Sequence, residues 1–185
     1  MRGPDASWNA AIAPAELTNA IHDNLRNLGV ERLDVVNLRW MGDERRPIEG
    51  SIARQYETLA DLQRKGLIRH LGLSNVTSAQ IDEGRRIADV VCVQNHFNLV
   101  HRDDDLLLDG LAKAGIAYVP FFPLAGFSPL QSATLSEVAE ELDATPMQFA
   151  LAWLLLRAPN ILLIPGTSSL VHLHENIAAG NICSR

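Results

Sequence analysis

The clearest local pattern in this sequence is Gly66-Leu67-Ile68-Arg69-His70-Leu71-Gly72-Leu73-Ser74-Asn75. Its first glycine follows a helical stretch as a C-terminal stop, a short β-rich run comes next, and two polar residues stand where the run ends. The same alternation of short β-rich runs and longer amphipathic segments recurs along the chain, and it is typical of βα units on a parallel sheet. The sequence therefore predicts an α/β fold with about five parallel strands: Arg32–Leu38, Ile68–Ser74, Val90–Phe97, Ala117–Phe122 and Ile161–Pro165.

Amphipathic helices are predicted between these strands and ahead of the first one. Thr77 with Gln80 fits a capping box, and Thr145-Pro146 with Gln148 combines a capping box with proline at the first helical position. The segment 132–157 therefore predicts two helices, divided before the proline. The apolar stripes that define two further helices are Leu17, Ile21, Leu25 and Leu28, and Ile52, Tyr56, Leu59 and Leu62.

Length and composition restrict the class of protein. The 185 residues carry 16 Lys+Arg against 22 Asp+Glu, and the net charge of −6 argues against a basic nucleic-acid-binding protein. A hydrophobic fraction of 47% can fill a core, so we expect one domain over residues 1–185. Two cysteines, Cys92 and Cys183, are too few for a disulfide framework, and no apolar run reaches the roughly 18 residues of a membrane span. We therefore predict a cytoplasmic protein with no membrane or nucleic-acid partner.

Polar side chains follow the predicted strands, at the edge of a parallel sheet where ligands bind. Ser74, Asn75 and Gln94 come from two consecutive strand ends and offer one hydroxyl and two carboxamides. A carboxamide can satisfy both the donor and the acceptor of an amide-bearing ligand such as nicotinamide. The alternative is that these residues only cap loops and helix starts, as Ser and Asn often do. The sequence leaves both interpretations open.

A second candidate site follows the last predicted strand. Gly166-Thr167-Ser168-Ser169 precedes a predicted helix that runs to about residue 179. Glycine lets a phosphate approach the backbone, hydroxyls donate to it, and a helix N-terminus supplies unpaired N–H groups with the positive end of the helix dipole. The alternative is an ordinary N-cap at Ser169.

Aromatic and histidine residues also stand at strand ends. Phe121 and Phe122 end an apolar strand, and one ring there could stack on a flat cofactor ring, although such a pair is more often part of a core. His172 and His174 are two residues apart on a predicted helix and do not face each other, so they cannot readily share an ion. No other cluster has metal-ligand spacing, and we predict no metal site.

Taken in order, the strand-end motifs resemble those of the aldo-keto reductases, NAD(P)H-dependent enzymes built on an eight-stranded β/α barrel. The resemblance covers residues 14–179, and as an ordered set the motifs are far more specific than any one of them. The matching strings are Leu28-Gly29-Val30-Glu31-Arg32-Leu33-Asp34, the stretch 66–75 quoted above, Val93-Gln94-Asn95-His96-Phe97-Asn98, Phe122-Pro123-Leu124, and Ile164-Pro165-Gly166-Thr167-Ser168-Ser169 with Glu175-Asn176.

The resemblance implies roles for individual residues. Ser74, Asn75 and Gln94 would hold the nicotinamide carboxamide, and Phe121 stands where the family usually has a ring-stacking tyrosine. Pro123 and Leu124 belong to the same cofactor-binding set. The residues implied around the phosphate, the adenosine 2′-phosphate and the adenine are Gly166, Thr167, Ser168, His172, Glu175 and Asn176.

Departures from the family pattern concern the catalytic half. The family uses a tyrosine general acid with a lysine, an aspartate and a histidine, and the first three belong to segments before the strand that begins near Arg32. The histidine position carries Arg39 here, and its guanidinium can polarise a carbonyl but is a poor proton donor. The alternative for Arg39 is a structural ion pair. The resemblance implies NADP(H) as cofactor. Because His172 stands at the position of a frequent arginine and Gly166 at that of a frequent lysine, NAD(H) stays open as the alternative.

Five predicted βα units match the later five of an eight-unit barrel, so the resemblance implies an incomplete TIM-type barrel that lacks the first three units. The first hypothesis is an oxidoreductase that reduces a small aldehyde or ketone by hydride transfer from NAD(P)H, with this chain carrying mainly the cofactor-binding half. The alternatives are a non-catalytic NADP(H)-binding regulatory or assembly subunit, and an inactive fragment. Sheet edges near Leu33 and Ile161 would be open, which predicts self-association.

Overall fold

The computed structural model describes residues 10–40, 46–125 and 133–182. Within these ranges the chain forms seven helices and four strands. The chain divides into two compact units: the first unit ends at Gln94, and the second unit begins at Asn95. The elements are α1 (Pro14–Leu28), β1 (Leu33–Arg39), α2 (Ala53–Arg64), β2 (Ile68–Ser74), α3 (Ser78–Ile87), β3 (Val90–Gln94), α4 (Asp105–Lys113), β4 (Ala117–Tyr118), α5 (Ala133–Glu141), α6 (Pro146–Arg157) and α7 (Leu170–Ile182).

The first unit contains a parallel sheet in which β2 lies between β1 and β3. Leu33 of β1 pairs with Ile68 of β2, and Arg39 at the end of β1 pairs with Ser74 at the end of β2. Ser74 in turn pairs with Gln94, the last residue of β3. The parallel arrangement predicted for these strands is confirmed, and β2 has the predicted bounds. The three carboxyl ends therefore meet at one edge of the sheet.

Helices α1 and α2 cover the first unit with the apolar stripes that the sequence predicts. Tyr56 of α2 is fully buried, as are Leu71 and Leu73 of β2, and α1 buries Ile21. Leu28 departs from the prediction, because its side chain is 64% exposed. It is the last residue of α1, and the chain turns away immediately at Gly29, which adopts the left-handed conformation of a C-terminal cap.

A close contact crosses all three strands of the first unit at Gly72. A Cβ atom at this position would lie 2.9 Å from the carbonyl oxygen of Cys92, and closer still to the side chains of Cys92 and Asn37. The Cys92 thiol donates to the Asn37 carboxamide oxygen at 3.2 Å beside the glycine. Gly72 is therefore required by space rather than by backbone conformation.

Both capping boxes predicted from the sequence are confirmed. The Gln80 amide N–H donates to the Thr77 hydroxyl at 3.3 Å, and the Thr77 N–H donates to the Gln80 side chain at 2.9 Å. At the start of α6, Gln148 and Thr145 make the same pair of bonds, at 3.2 and 2.9 Å. Each box satisfies two of the unpaired N–H groups at its helix terminus.

Helix α3 also orders the residues that precede α2. The Gln80 side-chain nitrogen donates to the carbonyl oxygens of Ile48 and Gly50, at 2.9 and 2.8 Å. The Glu83 carboxylate accepts from the Ile52 N–H at 2.7 Å and so provides an acceptor at the N-terminus of α2. No local sequence pattern predicts these contacts, because they join residues about thirty positions apart.

Two predicted strands are shorter than expected, one is absent as a strand, and β1 lies one residue later than predicted, over Leu33–Arg39. Strand β3 ends at Gln94 instead of Phe97, and β4 covers only Ala117–Tyr118, because Pro120 has no N–H to continue the ladder. Phe121 makes an isolated parallel bridge with His96. The predicted strand Ile161–Pro165 is wrong: Ile161 forms a single parallel bridge with Tyr118, and residues 162–167 have no regular secondary structure.

The second unit has an aromatic core. The buried Phe97 ring contacts the Tyr118 ring edge-on, with centroids 5.7 Å apart, and stacks on Trp153 of α6 at 6.1 Å. Leu151 and Leu154 of α6 are fully buried as well. The division of segment 132–157 into two helices before Pro146 is confirmed for its described part, and Ser132 and Cys183 lie outside the described residues.

Among the helices in those ranges, none combines the length and apolar character that a membrane crossing requires.

Candidate functional site

The first unit brings three of the predicted site residues to its sheet edge. Arg39, Ser74 and Gln94 are the last residues of β1, β2 and β3 and lie side by side through the strand pairing. The Arg39 guanidinium donates through Nη1 to the Ser74 hydroxyl oxygen at 3.1 Å. Ser74 is buried. This edge therefore combines a permanent positive charge with a hydroxyl and a carboxamide.

Asn75 follows β2 in a left-handed conformation, with φ at 58°. Asparagine adopts this conformation more readily than most residues, which explains its place at this sharp turn. Its backbone N–H donates to the Gln94 carbonyl at 2.9 Å. Its side-chain nitrogen donates to the carbonyl oxygens of Trp40 and Arg46, at 3.2 and 3.3 Å. The alternative interpretation, that Asn75 caps a loop, thus describes part of what this side chain does.

In the second unit Phe121 belongs to a stack of rings. Its ring lies parallel to His96 with centroids 5.5 Å apart, and His96 stacks in turn on His101 at 4.0 Å. Phe122 contacts both Phe121 and His96 edge-on. The predicted residues Pro123 and Leu124 continue this segment, Pro123 buried and Leu124 partly exposed. The stack gives Phe121 a fixed ring plane, as an aromatic stacking role requires.

The glycine-hydroxyl loop of the second unit leads into α7. The Ser169 hydroxyl oxygen accepts from the His172 N–H at 3.4 Å, and the Ser169 N–H donates to the Thr167 hydroxyl oxygen at 3.1 Å. The N-cap interpretation of Ser169 is therefore confirmed. At Gly166 an added Cβ would meet no atom within 4 Å, so nothing in the surrounding protein requires a glycine there.

An open groove of about 520 Å³ runs between residues 163–166 and α7. Of the predicted residues it brings together Gly166 and Asn176, with apolar side chains around them. Thr167, Ser168, His172 and Glu175 do not line it, and His172 is exposed on the first turn of α7. The groove is lined by Leu163, Ile164, Pro165, Gly166, Leu173, Asn176 and Ile177.

The hydroxyls of the two tyrosines of the chain both donate hydrogen bonds within the core. The Tyr118 hydroxyl donates to the Asp104 carboxylate at 2.8 Å, and burial together with that carboxylate raises the Tyr118 pKa far above its ordinary value. The Tyr56 hydroxyl donates to the Asp89 carbonyl at 3.3 Å, and burial raises its pKa as well. Neither phenol is suited to transfer a proton near neutral pH.

Sequence reasoning missed the role of Asp104. Asp104 is the middle residue of the acidic triplet 103–105, and α4 begins at Asp105. The Asp104 carboxylate, however, points to the core, where the Asn95 side chain and the Tyr118 hydroxyl donate to it, both at 2.8 Å. Burial raises the pKa of this carboxyl, and those two hydrogen bonds oppose the rise. A triplet of like residues gives no signal of which member turns inward.

Metal ligation receives no support from the part of the chain that the structure describes. Within residues 10–40, 46–125 and 133–182, no three His, Cys, Asp or Glu side chains lie close enough together to hold an ion. His172 and His174 are both exposed on α7.

Comparison with known proteins supports the resemblance seen in the motifs. A sequence model described as the Aldo/keto reductase family matches residues 2–184. Pyridoxine 4-dehydrogenase from Escherichia coli (strain K12) is 65% identical over 179 residues, which are 96% of this chain and 63% of that protein. An uncharacterized oxidoreductase from Schizosaccharomyces pombe is 39% identical over 183 residues, which are 97% of this chain and 57% of that protein. The chain therefore spans about three fifths of these relatives.

Solved structures show the same likeness in three dimensions. A thermostable aldo-keto reductase in complex with the inhibitor epalrestat superimposes with a TM-score of 0.80 at 29% identity, covering 92% of this chain and 62% of that one. An aldo/keto reductase from Klebsiella pneumoniae, in complex with NADP and acetate, gives 0.75 at 27%, covering 89% and 59%. The predicted α/β fold class of the TIM-barrel type is thereby confirmed. With a family match over almost all its residues, the chain belongs to the aldo/keto reductase family.

Proposed function

We propose that this chain is an NADP(H)-binding oxidoreductase that interconverts an aldehyde or ketone and the corresponding alcohol. The observation that carries the proposal is the groove beside α7. It is open above Gly166, it is lined mostly by apolar side chains, and it contains the Asn176 carboxamide. Apolar walls with one carboxamide among them suit a flat heterocycle such as adenine. The N-terminus of α7 lies next to Gly166 and favours a phosphate.

For the second unit we assign the adenosine end of the cofactor to the loop and helix around this groove. Gly166 and Asn176 line it, while Thr167 and Ser168 carry hydroxyls ahead of α7. His172 and Glu175 are assigned to the same end on the resemblance. No arginine or lysine stands among these residues, so we expect only a modest preference for NADPH over NADH.

For the first unit we assign the nicotinamide carboxamide to Ser74, Asn75 and Gln94. Phe121, Pro123 and Leu124 of the second unit are assigned to the nicotinamide ring. When bound, NADPH supplies the hydride that reduces the carbonyl carbon. Arg39 has a permanent positive charge held at the sheet edge by its bond to Ser74, and it would stabilise the negative charge that develops on the carbonyl oxygen.

The substrate class follows from the relatives. Because the Escherichia coli protein at 65% identity is a pyridoxine 4-dehydrogenase, we propose the alcohol and aldehyde pair of pyridoxine as the first substrates to assay. We further propose that residues 1–185 form a single domain, that the chain acts in the cytoplasm, and that it self-associates. The buried free thiol of Cys92 is in keeping with a reducing compartment.

A second candidate function is cofactor binding without catalysis. It is favoured by the state of the two tyrosines, since both phenols are buried and donate to groups of the core. Arg39 stays protonated and is a poor proton donor. A regulatory or assembly subunit would need only the binding residues.

Titration of the 185-residue chain with NADPH and with NADH, followed by calorimetry, tests binding, and an aldehyde panel that includes pyridoxal tests turnover. We expect binding of both cofactors, and Gly166→Lys should strengthen NADPH binding roughly tenfold over NADH by placing a cation near the 2′-phosphate. Gly180→Lys is the matched control. It adds the same charge near the C-terminal end of α7, at a second glycine where an added Cβ would meet no atom within 4 Å. Binding without turnover favours the second candidate, and absence of binding to either cofactor contradicts both.

A further inference from the structure

Asn98 is the polar residue that joins two loops of the second unit. Its side-chain oxygen accepts from the N–H groups of Val100 and His101, at 3.0 and 2.9 Å. Its side-chain nitrogen donates to the Phe122 carbonyl oxygen at 3.1 Å and lies 3.3 Å from Nε2 of His96. The residue is only 1% exposed. Both ends of this carboxamide are therefore used, one as acceptor and one as donor.

The carbonyl that Asn98 binds belongs to a strained turn. Phe122 has φ at 53°, a left-handed conformation that is unfavourable for a bulky residue. The same carbonyl accepts from the Ala125 N–H at 2.9 Å, which closes the turn over residues 122–125. A conformation of this kind persists only where the surrounding structure holds it. Asn98 supplies one of the hydrogen bonds that do so.

The position of Phe121 depends on the same contacts. His96 lies behind the Phe121 ring in a parallel stack, and the Phe122 ring lies edge-on to both. Asn98 contacts His96 through one nitrogen and the Phe122 backbone through the same group. Loss of the donor nitrogen would therefore disturb two neighbours of the Phe121 ring: His96, which stacks on it, and Phe122, which follows it in the chain.

We propose that Asn98 is a positioning residue that sets the plane of the Phe121 ring against the nicotinamide of the cofactor, an inference that rests on the proposed function. Asn98 does not itself touch the cofactor in this role. It acts through the Phe122 carbonyl and through His96. Its loss should weaken the binding of the nicotinamide end and leave the adenosine end unaffected.

The informative variant is Asn98→Asp. It has nearly the same shape and keeps the oxygen that accepts from Val100 and His101, so the loop around residue 98 is retained. It replaces the donor to Phe122 with a second acceptor, which faces the carbonyl oxygen and repels it. Both chains are measured at about pH 8, where the free imidazole side chain is neutral.

The experiment compares two ligands on the full 185-residue chain by calorimetry: NADPH, and 2′-phospho-ADP-ribose, which lacks nicotinamide. For Asn98→Asp we expect NADPH to bind roughly tenfold more weakly and 2′-phospho-ADP-ribose to bind as it does to the native chain. Asn160→Asp is the matched control, because Asn160 also donates a carboxamide hydrogen to a backbone carbonyl, that of Ile116 at 2.8 Å, within the same unit. It should change neither affinity.

The outcomes separate this inference from the proposed function. Equal weakening of both ligands by Asn98→Asp would mean a general structural defect and would overturn the positioning role. Unchanged binding of both would overturn it as well. In either case binding to the native chain leaves the proposed function standing. If the native chain binds neither ligand, the proposed function fails, and the inference that rests on it fails too.

Discussion

Asp104 is the residue whose environment most clearly couples charge to stability. Its carboxylate accepts from Asn95 and Tyr118, and burial nevertheless raises its pKa. The charge of Asp103 also raises the pKa of this carboxyl, whereas the charge of His101 lowers it. A raised pKa in the folded state means that the stabilising contribution is complete below the ordinary carboxyl pKa and is lost as the pH rises through the raised value.

We therefore predict that the native chain loses stability relative to Asp104→Asn as the pH rises from about 3.5 to about 6. The asparagine oxygen can accept from the same two donors without carrying a charge. The measurement is the free energy of unfolding by urea at a series of pH values.

Asp109 provides a control of opposite sign. A hydrogen bond from Arg157, at 2.8 Å, lowers the pKa of its carboxyl. A lowered pKa gives stability that is present above the ordinary value and lost as the pH falls through the lowered one. The native chain should thus gain stability relative to Asp109→Asn over the same rise in pH. Parallel slopes for the two variants would contradict the assignment for Asp104.

At the scale of elements, Gln80 serves its helix and the neighbouring loop at once. Its side-chain oxygen completes the capping box of α3, and its nitrogen donates to Ile48 and Gly50. Gln148 has the same capping role on α6 and is less deeply buried. The two glutamines allow the contribution of the cap to be separated from that of the loop contacts.

We predict that Gln80→Glu lowers the free energy of unfolding by about 2 to 3 kcal/mol, because a carboxylate at a site only 2% exposed would face two carbonyl oxygens. Gln148→Glu should change stability by no more than about 0.5 kcal/mol, since glutamate also completes a capping box. Urea unfolding of both variants checks the comparison. Similar losses in the two would assign the whole effect to the cap.

The strands show how far the sequence predicts this fold. The bounds of β2 follow from Gly66 before it and from the polar Ser74-Asn75 at its end, both local signals. Residues 161–165 have the composition of a strand, yet whether they form one depends on a partner, and β4 offers only two residues. The candidate site behaves in the same way. Its strand-end residues are visible in the sequence, whereas the role of Asn98 depends on a carbonyl 24 positions away.

At the scale of the whole molecule, the self-association that we propose would use the side of β1 that faces away from β2. Within the described ranges β1 has one strand partner, β2. Val35, in the middle of β1, is 50% exposed, so this edge offers an apolar side chain to a second chain. Edges of this kind pair with other chains, and a lysine on them disfavours such pairing.

We predict that the native chain shows concentration-dependent association in analytical ultracentrifugation and that Val35→Lys shifts it toward the monomer. Leu106→Lys is the matched control, because Leu106 is 87% exposed on α4 and the charge change is the same. A shift of equal size in both variants would attribute association to general hydrophobicity. A native chain that is monomeric at every concentration would contradict the prediction outright.

Gly72 has a consequence for how the sheet is assembled. Strands rich in Leu, Val and Ile can pair in several alignments of similar energy, and sliding one strand by two residues keeps every side chain on its original face. Only in the native alignment does the Asn37 side chain lie over a residue without a Cβ, with the Cys92 thiol donating to it. After a slide, Asn37 would face His70 or Ser74 instead. The missing Cβ atom thus favours one alignment of the strands over the others, whether or not a ligand is bound.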